Sequence, residues 1–351
     1  MSLVSPFPYF GGKRRAAPIV WNALGDPSGY VEPFAGSAAV LLARPSFTGR
    51  RVETLNDADG WLVNAWRAIQ LAPVEVADHA FGPVTEVDYH ARLVWLQERR
   101  TQELVSWLEG DPEVHDPKAA GWWLYVLACG IGDPFGPGPW RVVDGHLRNV
   151  KKDGVKRELP HLGDAGQGVN RKLPHLGDAG KGVNRELPHL GNAGQDEPHG
   201  RRGAGSQQRA ALAAYLTALA ERIERVRITC GSWERVVKPS VVRAGTGGDG
   251  TRAVFLDPPY STSGDLYAEG DKDGEVSAAV REWCCTADPK LRIVLAGYDQ
   301  EHDSLGWLAV PGKSGRGAGY SVRPDNGRRE MLWLSPACLS AGDQLGLEVA
   351  A

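Results

Sequence analysis

The sequence predicts an α/β protein built on a largely parallel sheet that a long insertion interrupts. Three observations predict this. Short apolar runs alternate with segments of helical spacing near both ends of the chain. The stretch between them turns first helical and then rich in Gly and Pro. With 351 residues, 42% of them hydrophobic and 24% charged, the chain has apolar material for one large domain or two of moderate size.

The elements follow in order. Ser28 to Phe34 reads as a short strand, and Ala35 to Leu42 as a Gly-containing turn feeding a helix. Arg51 to Leu55 is a second strand. Asn56 to Asp59 closes it and caps a helix through Trp61, Leu62, Ala65, Trp66 and Ile69. Strand, helix, strand, helix at this spacing implies parallel pairing with right-handed crossovers. Val87 to Trp107 has helical spacing, with Leu93, Leu96 and Leu104 among charges, and Gly121 to Ala128 continues it.

Residues 130–205 hold a tandem repeat of fourteen residues: Arg157 to Asn170, then Arg171 to Asn184, then a third copy from Arg185 that degrades after Gln195. Each unit carries a Pro and several Gly, so no continuous helix passes through it. Two readings stand side by side: a duplicated surface loop, or an extended arm along a nucleic acid backbone with Arg157, Arg171 and Arg185 in phase. His161, His175 and His189 also recur in phase, but no spacing brings them together, so no metal site is expected.

The alternation resumes with a helix from Arg209 to Arg225, with Leu212, Leu216, Leu219 and Ile223 on one face. It is followed by the strand Val226 to Cys230 and the strand Ala253 to Leu256. A helix from Val276 to Cys285 and the strands Arg292 to Ala296, Trp307 to Val310 and Glu330 to Leu334 complete the pattern.

Charge and cysteine usage bound the setting. The formal net charge is −3, so no global basic signature is present. Between Trp140 and Ala210, however, Lys and Arg outnumber Asp and Glu, as in a local phosphate-facing element or a solvated loop. The five cysteines, Cys129, Cys230, Cys284, Cys285 and Cys338, include no Cys-x-x-Cys spacing. A disulfide framework or structural zinc is therefore not expected, and a cytoplasmic setting is. No apolar run approaches bilayer length, and no secretory leader pattern opens the chain, so no membrane partner is expected.

The chemistry concentrates at strand ends. Asp257-Pro258-Pro259-Tyr260 follows the apolar run Ala253 to Leu256. Both prolines fix φ and lack an N–H, so the turn cannot continue a ladder and is poorly able to move. An acid, a fixed carbonyl and an aromatic face on such a rim suit a flat ligand with an exocyclic amine, such as a nucleobase. Glu32-Pro33-Phe34-Ala35-Gly36-Ser37 sits at another strand end just before a helix, where ligands of doubly wound sheets bind. It is neither a Gly-x-Gly-x-x-Gly nor a Walker sequence. Asp57 ends the next strand, where a carboxylate accepts from a ribose diol. Asp57 or Asp59 alternatively caps the following helix, and both roles coexist if each residue takes one. Tyr9-Phe10-Gly11-Gly12-Lys13 offers two glycines for close approach and one ammonium for a carboxylate.

These four segments, Tyr9 to Lys13, Glu32 to Ser37, Leu55 to Asp59 and Asp257 to Tyr260, occur in the order in which the Dam-like class of N6-adenine DNA methyltransferases carries its motifs. The chain resembles that family. The resemblance implies a Rossmann-like S-adenosylmethionine-dependent methyltransferase sheet formed by residues 1–71 and 209–351. It implies a mainly helical and loop-rich target-recognition insertion at 72–208, with the repeats at 157–198. Glu330 to Leu334 looks like the family's late sheet strand, while the repeats depart from its pattern.

The implied cofactor residues are Tyr9, Gly11, Gly12, Lys13, Glu32, Phe34, Gly36, Ser37, Asp57 and Asp257. Lys13 and the two glycines would hold the methionine end, and Asp57 the ribose. The implied catalytic residues are Asp257, Pro258, Pro259 and Tyr260, with Asp257 and the Pro258 carbonyl accepting from the adenine amine and Tyr260 stacking on the extruded base. Double-stranded DNA is the implied partner. Asp at 257 leans toward adenine; cytosine N4, an RNA amine and a non-catalytic nucleic-acid-binding fold stay open as alternatives. A host regulator, a restriction partner and a mobile-element enzyme are equally compatible settings.

Overall fold

The computed structural model describes residues 3–7, 12–99, 102–130, 135, 140–143, 146–149, 204–243, 250–259, 274–312 and 330–339. Nine strands fall in these segments: β1 Gly29–Glu32, β2 Val52–Asp57, β3 Trp140–Val143, β4 His146–Asn149, β5 Arg227–Cys230, β6 Arg252–Leu256, β7 Arg292–Tyr298, β8 Leu308–Pro311 and β9 Glu330–Leu334. The α-helices are α1 Ala17–Leu24, α2 Ala39–Leu42, α3 Gly60–Leu71, α4 Pro73–Ala80, α5 Glu86–Arg99, α6 Gln102–Gly110, α7 Pro117–Cys129, α8 Ala204–Ile223, α9 Pro239–Val242 and α10 Glu275–Thr286.

Seven strands form one sheet in the order β5-β2-β1-β6-β7-β9-β8. The first five are parallel. β9 runs against both β7 and β8. From β1 the chain moves outward through β2 to β5, then crosses to the other side of β1 with β6 and β7. The reversal point lies between β1 and β6, where doubly wound sheets open a crevice at their carboxyl edge. β3 and β4 form a separate antiparallel pair.

Alternation along each strand decides which face a side chain covers. Ala253 and Phe255 join the larger apolar cluster with Tyr30 and Leu55, whereas Val254 and Leu256 join the smaller one with Val31 and Val280. Because both faces are covered, the central strands read as unbroken apolar runs. The larger cluster takes in α3, α4, α7 and α8. Trp66, Val76, Trp123 and Leu216, one from each of these helices, are all buried in it. The helices of 73–129 thus share their core with α3 and α8. At the α4–α7 crossing Gly121 allows close approach: a Cβ there would lie 2.6 Å from Val76 O and 2.8 Å from Ala80 N.

Two expectations are refined. The single helical stretch from Val87 to Trp107 divides between α5 and α6. The Gly-containing turn and helix expected over Ala35 to Leu42 are present, with the helix limited to one turn from Ala39. Gly36 (φ 46°) and Ala38 (φ 50°) adopt left-handed conformations, which no α-helix continues. Among the described residues, no helix is long and apolar enough to cross a membrane.

A buried ion cluster fixes α8 to the sheet edge. The Glu53 carboxylate accepts from Arg44 (Nη1–Oε1 2.9 Å) and from Arg222 (Nη1–Oε2 2.7 Å, Nη2–Oε1 3.1 Å), and all three residues are buried. Arg67, also buried, donates instead to carbonyls: Ile228 at 3.0 Å, Leu108 at 2.9 Å and Asp111 at 2.8 Å. It thereby ties β5 to the end of α6.

Candidate active site

The carboxyl edge of the sheet carries a pocket of ≈ 330 Å³. Its wall comes from Gly12 and Lys13 ahead of α1, from Glu32 to Ser37 after β1, and from Asp57 to Asp59 after β2. Gly231 to Trp233 after β5, Phe255, Asp257 and Pro259 around the end of β6, and Val276 on α10 complete it. The end of every parallel strand from β5 to β6 contributes, as the reversal point between β1 and β6 requires.

Local chemistry explains the shape. Asn56 is buried, and its amide donates to Pro33 O (3.1 Å) and Gly231 O (2.9 Å) while its carbonyl accepts from Thr229 Oγ1 (2.9 Å). One side chain thus clamps the loops that follow β1 and β5. Trp66 Nε1 donates to Gly36 O (3.0 Å), and Ala35 N donates to Asn56 O (2.8 Å). Asp57 accepts from Gly36 N at Oδ2 and from Asp59 N at Oδ1, each at 3.0 Å. Asp59 accepts from Trp61 N (2.9 Å) and caps α3. Asp59 thus takes the cap, and both carboxylates line the pocket.

Two carboxyls here prefer their protons. Burial pushes Glu32 up to about 8 and outweighs the hydrogen bonds from Tyr30 Oη (3.0 Å) and Leu41 N (3.2 Å). Burial likewise pushes Asp57 up to about 7 against its backbone bonds. Both values lie above those of an unfolded chain, about 4. The stability these two groups contribute is fully present below about 4 and is lost as the pH rises through about 7 and about 8. We therefore expect the urea midpoint of the ligand-free protein to fall between pH 5 and pH 8.5, and Glu32→Gln to flatten part of that fall. An unchanged slope in the variant would show that Glu32 ionises without cost.

The Asp257 turn presents Asp257 and Pro259 to the pocket, whereas Pro258 is buried and outside the pocket wall. Lys13 Nζ lies 2.9 Å from Asp257 Oδ2 and 2.7 Å from Glu330 Oε1. Its ammonium was expected to meet a ligand carboxylate; here it meets two carboxylates of the protein itself. Phe34 and Trp233 form an apolar wall, ring centroids 6.1 Å apart and 29° between planes. Among the described lining residues, Glu32, Asp57, Asp59 and Asp257 stand against the single cation Lys13.

No family model matches the chain, and no curated protein matches it.

The site therefore rests on its own geometry. Gly12, Lys13, Glu32, Phe34, Gly36, Ser37, Asp57, Asp257 and Pro259 converge on one pocket although they span most of the sequence. Tyr9, Gly11 and Tyr260 lie outside the described residues, as do Arg157, Arg171 and Arg185 with the repeats. Three contributors were not legible as such. Asn56 stood in the closing segment beside Asp57, but its clamp depends on where β5 returns. Trp233 had no signal beyond following a strand. Glu330 read only as the charged start of an apolar strand, because its place depends on β9 being reversed.

Proposed function

We propose that the protein transfers the methyl group of S-adenosylmethionine to the N6 amine of adenine in double-stranded DNA. The observation that carries this reading is the meeting of the Glu32 to Ser37 turn, Asp57 and Asp257 in one pocket at the reversal point of the sheet. β9 adds support, since the resemblance puts a late sheet strand at Glu330 to Leu334, and a reversed strand lies there between β7 and β8.

The donor set fits the cofactor. A volume of ≈ 330 Å³ lies in the range of small-molecule sites. The wall's carboxyl oxygens can accept from the hydroxyls and the ammonium of that cofactor, whether or not Glu32 and Asp57 hold their protons. Gly36, at φ 46°, has no side chain to hold a ligand away. In this reading Asp57 accepts from the ribose hydroxyls, and Phe34 with Trp233 covers the purine. Bound there, S-adenosylmethionine supplies an electrophilic methyl group.

The chain's own residues do the rest. An adenine amine is a poor nucleophile because its lone pair is delocalised into the ring. Asp257 accepts from the amine N–H and favours a pyramidal nitrogen whose lone pair faces the methyl group. Orientation in a closed pocket lowers the barrier further. A base within a duplex cannot reach the sheet edge, so the target nucleotide leaves the stack. The choice of sequence falls to the segment 72–208.

The test is label transfer. Purified protein with methyl-tritiated S-adenosylmethionine is expected to label mixed-sequence duplex DNA. Cofactor binding without any label in DNA would defeat the reading.

A further inference from the structure

Lys13, Asp257 and Glu330 come from three distant parts of the chain and meet in one cluster, with side chains 5%, 18% and 10% exposed. Lys13 is fixed at the entry to α1, where Ala17 N donates to its carbonyl at 2.9 Å. Glu330 opens β9 opposite Tyr298, the last residue of β7, and its carbonyl accepts from Gly312 N at 2.9 Å. Because β9 is reversed, its first residue falls at the edge where the parallel strands end. That brings its carboxylate to the same ammonium that Asp257 meets.

In these two contacts one ammonium serves two carboxylates. A lone Lys13–Asp257 pair would spend the carboxylate's acceptor strength on the ammonium, and in a low-dielectric site such charge-assisted bonds are strong. Glu330 competes for the same ammonium at the shorter distance, 2.7 Å against 2.9 Å.

We propose that Glu330 is a positioning residue for methyl transfer: by sharing Lys13 it sets how far the ammonium engages Asp257 and keeps that carboxylate a strong acceptor toward the target amine. This rests on the adenine-amine reading above. Glu330 acts through Lys13, so its loss changes turnover and leaves ligand binding alone.

The experiment compares wild type, Glu330→Gln, Lys13→Met and the double variant, each checked for its thermal unfolding midpoint. It reads kcat on duplex DNA and the Kd for S-adenosylmethionine by tryptophan fluorescence. Glu330→Gln is expected to lower kcat by about tenfold to 100-fold, the scale of a misplaced reacting group, with Kd within twofold of wild type. Lys13→Met leaves two carboxylates facing each other without their ammonium. Adding Glu330→Gln removes that repulsion, so the double variant is expected to turn over faster than Lys13→Met alone. A plain packing role for Glu330 does not produce such a reversal. If Glu330→Gln fails to fold, Glu330→Asp reads the same point: its shorter acid withdraws from Lys13, and kcat falls with Kd kept.

Unchanged kcat in Glu330→Gln, a Kd that weakens in step with kcat, or a double variant no faster than Lys13→Met would each overturn the positioning role. A wild-type protein that labels no DNA defeats the function reading itself, and the positioning role with it.

Discussion

Asp257→Ala is expected to slow methyl transfer steeply while leaving S-adenosylmethionine binding largely intact. Asp257 directly follows β6, whose Val254 to Leu256 are fully buried, so the carboxylate is carried by a rigid base. The two following prolines remove the N–H groups and fix φ, so the backbone has little freedom to re-aim it. A preorganised polar group at a reacting centre is worth about 10²–10³ in kcat when lost. The cofactor contacts proposed above lie mainly on the other loops of the pocket, at Glu32 to Ser37 and Asp57. The variant leaves Lys13 with Glu330 at 2.7 Å, so no buried ammonium is stranded and the fold survives. Steady-state label transfer and a fluorescence titration check both halves. Equal loss of turnover and binding would make Asp257 a structural residue.

The largest expected effect on stability is at Glu53. Arg44 and Arg222 converge on its carboxylate from α8 and from the residues after α2, and the cluster is sealed from water. Arg222 Nη2 also donates to Leu41 O at 2.8 Å, while Nε of both arginines has no hydrogen-bond partner. Arg222 depends heavily on Glu53, whereas Arg44 also reaches Asp26 (Nη2–Oδ1 3.1 Å) and Pro27 O. Glu53→Gln keeps the side chain's size and removes the negative charge that the two guanidinium groups share. Breaking a buried pair on one side costs about 3–5 kcal/mol, so the urea midpoint is expected to fall steeply, with an unchanged dependence on urea concentration if unfolding stays cooperative. Arg222→Met added to Glu53→Gln is expected to recover part of the loss, since it removes the guanidinium whose carboxylate partner was Glu53. A loss under about 1 kcal/mol, the range of surface pairs, would mean water reaches the cluster.

Much of the sheet was legible because its signal is local. An apolar run bounded by turn residues marks a buried strand whether or not its neighbours are known, and β1, β2 and β5 to β9 all stand where such runs lie. The motif residues at strand ends were legible for the same reason: Glu32, Asp57 and Asp257 each follow directly from a run. What failed to show was set by contacts far apart in sequence. The start of α2 at Ala39 follows from left-handed Gly36 and Ala38, in a loop that Asn56 and Trp66 hold by hydrogen bonds. Asp57 and Asp59 were interchangeable until the α3 cap was seen. Lys13 carried a charge whose partner no spacing could name, because Asp257 and Glu330 reach it only through the sheet order. Arg67 is the same case: an arginine within a helical stretch that turns out to bind carbonyls of β5 and α6.

The central claim is that Asp257 directs a methyl group onto an adenine amine. Its most direct test is nucleoside analysis: duplex DNA treated with the wild-type protein and S-adenosylmethionine is digested to nucleosides and separated with mass detection, beside DNA treated with Asp257→Ala. The account predicts N6-methyldeoxyadenosine from the wild-type protein, formed about 10²–10³-fold more slowly by the variant. N4-methyldeoxycytidine in its place, or methylated adenine formed by Asp257→Ala at the wild-type rate, would contradict it.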